Sequence, residues 1–597
     1  MDQELIMKLS DFVASFLVER GIDHFFTLSG GGCMHLLDSM GNHPKLKYTC
    51  SLHEQAGAIG AEAYAQYRAT PSALLVTTGP GGTNAITGIA GAFIDSTPVF
   101  VLSGQVKRAD LKLGTGLRQK GPQEVDIVSM VKPITKYAVT ILDPLDIKYE
   151  LEKAWFLAVE GRPGPVWIDV PLDVQAATIE PEKLRSYEPE KKSHLFSQEV
   201  IKKTVDHLLE SKRPVILAGN GIRHSHAEAE FQELINLLNV PVLLTWKAID
   251  FLDESHPQNC GRPGTIAQRG ANIIQQKSDW MLSLGARLDS GQTAFNPGRF
   301  APKAKRIIVD IDAEEISKLG PQIEYPVVSD VRPFLQALLV EVKSRKLNDW
   351  KNWLSWSKDI YQRFEEKPEA YAETIQDINL YDFVEELSSI TKSDAVIVPG
   401  SSGACSEVIC QKFRIKKGQR LLNTQGLGAM GFGLPASIGV CLASGRKNTI
   451  LVNGDGGIQL NIQELETIRR LALPIKIFVL QNHGYRSIVI SQNNFFKGRL
   501  VASDDSSGVT LPSMERLARA YEIPYFEIKE KGQLKEKIQS VLNTPGAVIC
   551  DVRVDPNHLT LPKVRSQILA DGNIVSMPME DLFPFLPRDE FEKIMND

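Results

Sequence analysis

Short apolar runs recur along the chain, each closed by a glycine-rich turn and followed by residues at helical spacing. They include "ALLVTTGPGG" (73–82), "PVFVLSGQ" (98–105), "PVILAGNG" (214–221), "WMLSLGAR" (280–287), "RIIVDID" (306–312) and "TILVNGDGG" (449–457). Runs this rich in Val, Ile and Leu, without polar alternation, predict strands buried on both faces. Alternating with helices, they predict parallel sheets in an α/β protein. Ligands on such sheets bind at the carboxyl ends of the strands, where these glycine turns fall. At the N-terminus Ile6, Leu9, Phe12, Val13, Phe16 and Leu17 keep a helical period and predict an amphipathic first helix.

Two breaks divide the pattern. Residues 179–197 are polar and contain prolines, as expected of a linker. Residues 342–373 are charged but carry Trp350, Trp353 and Trp356, which predicts a helical connector docked on a neighbouring domain. The expected organisation is three doubly wound parallel-sheet domains (1–180, 198–340 and 376–560), a connector over 341–375 and a tail over 561–597. A length of 597 residues agrees, because a single core does not grow that large.

Composition then narrows the function. The chain is 43% hydrophobic and 23% charged, with a formal charge of −5 and no long basic run, which argues against nucleic acid or an anionic membrane as partner. No apolar run reaches membrane-spanning length, and the acidic N-terminus does not read as a secretory signal. The seven cysteines are scattered without a C-x-x-C pair, so neither a disulfide framework nor a zinc site is indicated. A cytoplasmic location is the default expectation.

Three stretches carry candidate chemistry. "QGLGAMGFGLP" (425–435) matches G-x-G-x-x-G at Gly426, Gly428 and Gly431. Pro435 falls where a dinucleotide-binding helix would continue, and proline there costs about 3 kcal/mol. In "TILVNGDGGIQLNIQELETIRRLALPIKIFVLQNHGY" (449–485) one strand delivers Asp455 between glycines and a second delivers Asn482. One or two such oxygens beside a phosphate-bearing ligand suit magnesium, and a following helix N-terminus would favour the phosphate charge. Alone, Gly454-Asp455-Gly456 is better explained as a strand-end turn with a capping aspartate. Likewise Glu54, opening "EQAGAIGAEAYAQYRA" (54–69), is by itself a carboxylate favoured by a helix dipole.

Together, however, these stretches resemble the thiamin diphosphate-dependent enzymes, in particular the catalytic subunits of acetolactate synthase. The resemblance runs through "LHEQAGAIGAEAYA" (52–65), "TTGPGGTNAITGIAGAFIDSTPVFVLSGQV" (77–106), "PQEVDIVSMVKPITKYAV" (122–139), "RPGPVWIDVPLDVQ" (162–175) and "GLGAMGFGLPASIG" (426–439). It implies that Glu54 shares a proton with the aminopyrimidine N1′ and so activates C2 of the thiazolium as a carbanion nucleophile. Met430 would prop the cofactor in its bent form, and Gln123 would act beside it. Gly31, Pro80, Asn84, Gly400, Ser401, Ser402, Gly428, Gly456, Gly457, Gly484 and Tyr485 would line the cofactor. Asp455, Asn482 and the Gly484 carbonyl would hold Mg2+ on the diphosphate. In the central domain Gly219, Gly221, Arg287, Asp310 and Asp330, with Arg162, would contact FAD. The glycines at 426–431 then serve the thiazolium, and the NAD reading fails.

The resemblance further implies a homodimer or homotetramer, because Glu54 of one chain serves the diphosphate domain of another. The substrates would be a 2-keto acid donor and a carbonyl acceptor. Three departures bear on the acceptor. Gly400-Ser401-Ser402-Gly403 replaces the family's Gly-Gln-His-Gln, and Pro122 replaces a phenylalanine. Residues 483–501 replace the segment bearing the family's selective tryptophan, with Ser491 and Gln492 at its expected place. That segment and "LADGNIVSMPMEDLFPFLPRDEF" (569–591) look closer to relatives acting on nucleotide-linked keto-sugars. A 2-keto acid decarboxylase, a flavin oxidase or a non-catalytic homologue are the competing readings; the intact Glu54, Asp455 and Asn482 argue against the last.

Overall fold

The computed structural model describes residues 6–190, 196–321, 323–365, 377–568 and 574–596. Parts of the expected linker (191–195), connector (366–375) and tail (569–573) lie outside the described residues. Each apolar run named above forms a strand, and the strands assemble into three parallel sheets.

In the N-terminal sheet the order is Lys47–Cys50, His24–Thr27, Ser72–Val76, Val99–Gln105, Val166–Pro171, Tyr137–Thr140. In the C-terminal sheet it is Arg420–Leu421, Val396–Pro399, Thr449–Gly454, Ile475–Gln481, Val548–Arg553, Tyr525–Ile528. Numbered within each domain, both read 2-1-3-4-6-5. The two domains thus share one topology, which no repeat in the sequence announces. The five-stranded central sheet reads 2-1-3-4-5, with Pro214–Ala218 as its first strand and Trp280–Leu284 as its third. All three sheets reverse direction of winding between their first and third strands, and there a crevice opens beyond the strand ends.

The N-terminal helix, Leu9–Glu19, buries Leu9, Val13, Phe16 and Leu17 as its period predicts, with Phe12 half-buried, but Ile6 lies ahead of the helix and is 61% exposed. The chain ahead of it, Met7–Lys8, pairs antiparallel with Thr178–Ile179, which fastens the start of the linker to the first domain.

The core is continuous across the outer domains. Helix Glu54–Arg68 lies against helix Gly433–Ala443, and Gly60 and Gly439 meet backbone to backbone. The connector helix, Lys351–Arg363, docks on the central domain as expected. Trp350 Nε1 donates to the Ser211 carbonyl and Trp353 Nε1 to the Pro214 carbonyl, both at 3.0 Å. The tail also returns to the central domain: Arg269 donates to the Leu582 and Pro584 carbonyls, and Lys277 Nζ to that of Ile594.

Candidate active site

The sequence-predicted residues collect at the three crevices. In the C-terminal domain the first strand leads into Gly400, Ser401 and Ser402, the third into Asp455, and the adjacent fourth into Asn482 and Gly484. Asp455 is 2% exposed. Its Oδ2 accepts from the backbone N–H groups of Asn482, His483 and Gly484 at 3.1, 2.8 and 3.3 Å, and its Oδ1 from that of Gly456 at 2.7 Å. Burial pushes its proton affinity up, and these four donors oppose the rise.

The side-chain amide of Asn482 lies 3.1 Å from both Asp455 Oδ1 and the Gly484 carbonyl, and with its nitrogen turned toward them it donates to both. Turned the other way, it would join them with a third oxygen. A carboxylate, an amide oxygen and a carbonyl form the hard-oxygen set that Mg2+ takes alongside phosphate. Gly484 has φ +116°, and a Cβ there would lie 2.6 Å from the Ser503 carbonyl, so only glycine lets that carbonyl face the site. Tyr485 packs its ring over Gly456, leaving 2.5 Å for any Cβ there.

One sequence expectation is corrected at this point. No α-helix starts directly behind Asp455; a 3-10 turn, Gly457–Asn461, comes first, and the helix runs from Glu464 to Arg470. The charge of Asp455 is met by loop N–H groups, not by a helix end.

In the N-terminal domain Glu54 opens helix Glu54–Arg68 and is 6% exposed. Asn84 Nδ2 donates to its Oε2 at 3.0 Å, and Oε1 faces the helix start at Gly81. Pro80 is the first residue of the helix that carries Asn84. Gly31 begins a 3-10 turn beside Gly30 and Gly32, which press on Thr77 and Thr78. Gln123 is exposed with φ +64°, and its carbonyl abuts Gly79, where a Cβ would be 2.2 Å away.

A cavity of about 1070 Å3 runs from the central crevice to the C-terminal domain. Arg162, Gly221, Arg287, Asp310 and Asp330 line it, as do Ser401, Ser402 and Gly428. Gly219 lies just behind the wall, where a Cβ would meet the Gly285 carbonyl at 2.2 Å. Arg287 and Leu288 at φ +58° and +51° add backbone strain, of the kind stored at ligand sites. The volume suits a ligand of dinucleotide size. Arg162 bridges the first two domains, donating to Ser96 Oγ, Asp312 and Glu315. Burial raises the proton affinity of Asp310.

The sequence reading missed an acid cluster in the same wall. Lys247 Nζ donates to Asp95 Oδ2 (2.9 Å), Gln66 Oε1 (3.1 Å) and the Asn423 carbonyl (2.7 Å), joining all three domains. Asp95 Oδ1 accepts from Gly426 N–H at 3.3 Å, and buried Glu62 beside it has its pKa pushed up to about 8 by desolvation and by Asp95. No local motif could reveal residues so far apart in the chain. Ser491 and Gln492, in contrast, are engaged locally. Ser491 Oγ donates to the Ser487 carbonyl within its own helix. Gln492 ties Val501 and Ser503 together.

Three family profiles match the chain. They are the thiamine pyrophosphate enzyme N-terminal TPP binding domain over residues 7–130, the central domain over 201–338 and the C-terminal TPP binding domain over 401–552. The acetolactate synthase large subunit of Lactococcus lactis subsp. lactis (strain IL1403) is 31% identical, covering 95% of this chain and 96% of its own. Acetolactate synthase isozyme 3 large subunit of Escherichia coli (strain K12) is 30% identical over 93% of this chain and 96% of its own. Chloroplastic acetolactate synthase 1 of Nicotiana tabacum is 30% identical over 94% and 83%. Matched from end to end with its domains in the same order, the chain belongs to the thiamine pyrophosphate enzymes, in the family of the acetolactate synthase large subunits.

Proposed function

We propose that this enzyme is a carboligase that decarboxylates pyruvate and joins the two-carbon unit to a second carbonyl compound. The observation that carries the reading is the convergence of the Asp455 carboxylate, the Asn482 side-chain amide and the Gly484 carbonyl at the ends of adjacent strands, beside the glycine-lined crevice at Gly400. It is the half-site a metal diphosphate needs, and Glu54 at the other crevice is the buried carboxylate the chemistry needs.

Thiamin diphosphate, when bound, supplies the nucleophilic carbon and the electron sink for decarboxylation. Asp455, Asn482 and the Gly484 carbonyl hold Mg2+. Gly400, Ser401, Ser402, Gly456, Gly457 and Tyr485 orient the diphosphate, with Gly31, Pro80, Gly428 and Met430 along the rest of the cofactor. Glu54 holds and releases a proton at Oε1, while Asn84 fixes Oε2 and so the plane of the carboxyl group. Gln123, exposed at the end of its loop, is positioned to touch substrate. FAD would be held in the central cavity by Gly221, Arg287, Asp310, Asp330 and Arg162, with Gly219 just behind the wall, and in a carboligase it would serve the structure.

Assembly as a homodimer or homotetramer belongs to the same reading. Asn84, beside Glu54, is near the start of helix Pro80–Ile94, whereas Ile94 at its end abuts Gly426 of the same chain. Ten helical residues separate them, about 15 Å. Glu54 thus stands apart from its own chain's 426–430 loop, and a second copy would complete the site.

The test is product analysis with pyruvate, thiamin diphosphate, Mg2+ and FAD. Carbon dioxide release with a ligated product is expected. Acetaldehyde as sole product would make the enzyme a decarboxylase, and stoichiometric oxygen uptake would make it an oxidase; either result overturns the reading.

A further inference from the structure

Lys247 gathers partners from both outer domains at one point of the cavity wall. Its Nζ donates to Asp95 Oδ2, Gln66 Oε1 and the Asn423 carbonyl. Asp95 passes the contact on, its Oδ1 accepting from Gly426 N–H at 3.3 Å. Asp95, Lys247, Gln425, Gly426 and Gly428 all line the cavity. The side chains of Lys247 and Asp95 are 18% and 3% exposed. A buried ion pair costs desolvation that its attraction often fails to exceed, so holding domains together is a weak reason to keep one.

That task is met elsewhere. Asp250 accepts from Arg223 at 2.7 Å and from Arg420 at 2.6 Å, and Arg420 donates to the Tyr67 carbonyl at 3.2 Å, which again joins all three domains. What the Lys247 cluster holds and the Asp250 clamp does not is the segment leading to Met430. Among the described residues, the bond to Asp95 is the one hydrogen bond made by the backbone of residues 424–428. The far side of this loop is closed by its own domain. Phe432 N–H donates to the Ala429 carbonyl at 3.3 Å, and Asn461 Nδ2 to that of Gly431 at 2.8 Å. The near side is Gly426, where a Cβ would lie 2.1 Å from Ile94 Cγ2 and 2.9 Å from Asp95 Oδ1. The loop is therefore seated against the end of helix Pro80–Ile94. Asp95 uses both carboxylate oxygens here, one for Lys247 and one for Gly426. An amide in its place offers a single acceptor and cannot serve both.

We propose that Lys247 is a positioning residue for the reaction: by fixing Asp95 it seats the 424–428 backbone, and so sets Met430 against the thiazolium. The inference rests on the reading that places Met430 along the cofactor. Its test compares Lys247→Met, Lys247→Arg, Asp95→Asn and the double variant Lys247→Met/Asp95→Asn with wild type. Asp455 and Asn482 are untouched, so calorimetry at saturating Mg2+ and FAD should find thiamin diphosphate affinity within about threefold of wild type. Hydrogen–deuterium exchange at C2, counted per bound cofactor, should slow by about tenfold or more in Lys247→Met and in Asp95→Asn, because a small misplacement of a reacting group is felt strongly in rate. The near-ultraviolet circular dichroism of the bound cofactor should change with it. In turnover kcat should fall by a similar factor, with KM for pyruvate held within about threefold. Lys247→Arg keeps the cation and should recover most of the exchange rate. The double variant should be no slower than the worse single variant, since the two residues act as a unit. A merely structural pair gives a lowered thermal midpoint with wild-type exchange per bound cofactor, and that result overturns the proposal. So does a double variant in which the two losses multiply. Variants that slow C2 exchange as expected, in an enzyme whose wild type forms no ligated product from pyruvate, overturn the carboligase reading and leave the role of Lys247 standing.

Discussion

Gly439→Ala tests a backbone-to-backbone contact between the outer domains. A Cβ at this position would lie 2.1 Å from the Gly60 carbonyl oxygen, 2.9 Å from its carbon and 3.0 Å from its Cα. All three are backbone atoms, so no side chain can rotate away. A carbon–oxygen contact settles near 3.3 Å, which requires helices Glu54–Arg68 and Gly433–Ala443 to part by about 1.2 Å. Alanine gains about 1 kcal/mol in helix propensity over glycine. Overpacking a tight contact costs typically 1–3 kcal/mol, so the net expectation is a loss of up to roughly 2 kcal/mol. Glu54 is on the displaced helix, and a shift of about 1 Å in a catalytic group can cost 10²-fold. A kcat reduced tenfold or more, with cofactors saturating, should therefore accompany a lowered thermal midpoint in scanning fluorimetry. Gly532→Ala is the control, because nothing lies within 4 Å of its Cβ position. A Gly439→Ala protein as stable as wild type with unchanged kcat would refute the close approach of these helices.

Glu54→Gln should leave thiamin diphosphate bound but cut turnover by 10²-fold or more, since the shape stays and the proton-holding oxygen goes; hydrogen–deuterium exchange at C2 of the bound cofactor, followed by NMR, must slow accordingly. Asp455→Ala removes the charged member of the oxygen set, so calorimetry at millimolar Mg2+ should find no thiamin diphosphate binding, and unchanged affinity would disprove the metal site. His24 is buried, and its pKa is pushed down to about 4 by desolvation. The folded state keeps it neutral while the unfolded chain takes up a proton below about 6.5, so stability present above pH 6.5 is lost as pH falls toward 4. His24→Gln should flatten the pH dependence of the thermal midpoint in that window; an identical slope would exclude His24 as a source.

The strands were legible because burial on both faces demands unbroken Val, Ile and Leu runs, and every run named in the sequence is a strand. Glu54, Asp455 and Asn482 stood out less for their local pattern, which alone suggests a helix-start carboxylate and a strand-end turn, than for the several motifs that resemble one family together. The tryptophans of the connector announced a docked helix, since an indole is rarely left in water. What the pattern could not contain is pairing across distance. The shared 2-1-3-4-6-5 order depends on which strands neighbour one another, and one-dimensional periodicity does not record that. The same holds for the Asn84–Glu54 hydrogen bond, for Lys247 joining Asp95 to Asn423, and for the tail laid on Arg269 and Lys277. Ser491 and Gln492 stand where the sequence places them, but only the structure shows that Ser491 bonds back to the Ser487 carbonyl and that Gln492 ties down Val501 and Ser503. The sequence determined the strands, the helices and the glycine turns at their ends, because local backbone preference and burial act residue by residue. Only the tertiary structure decided what the side chains at those ends face, because partners separated by tens to hundreds of residues are selected by packing and mutual desolvation of the whole chain.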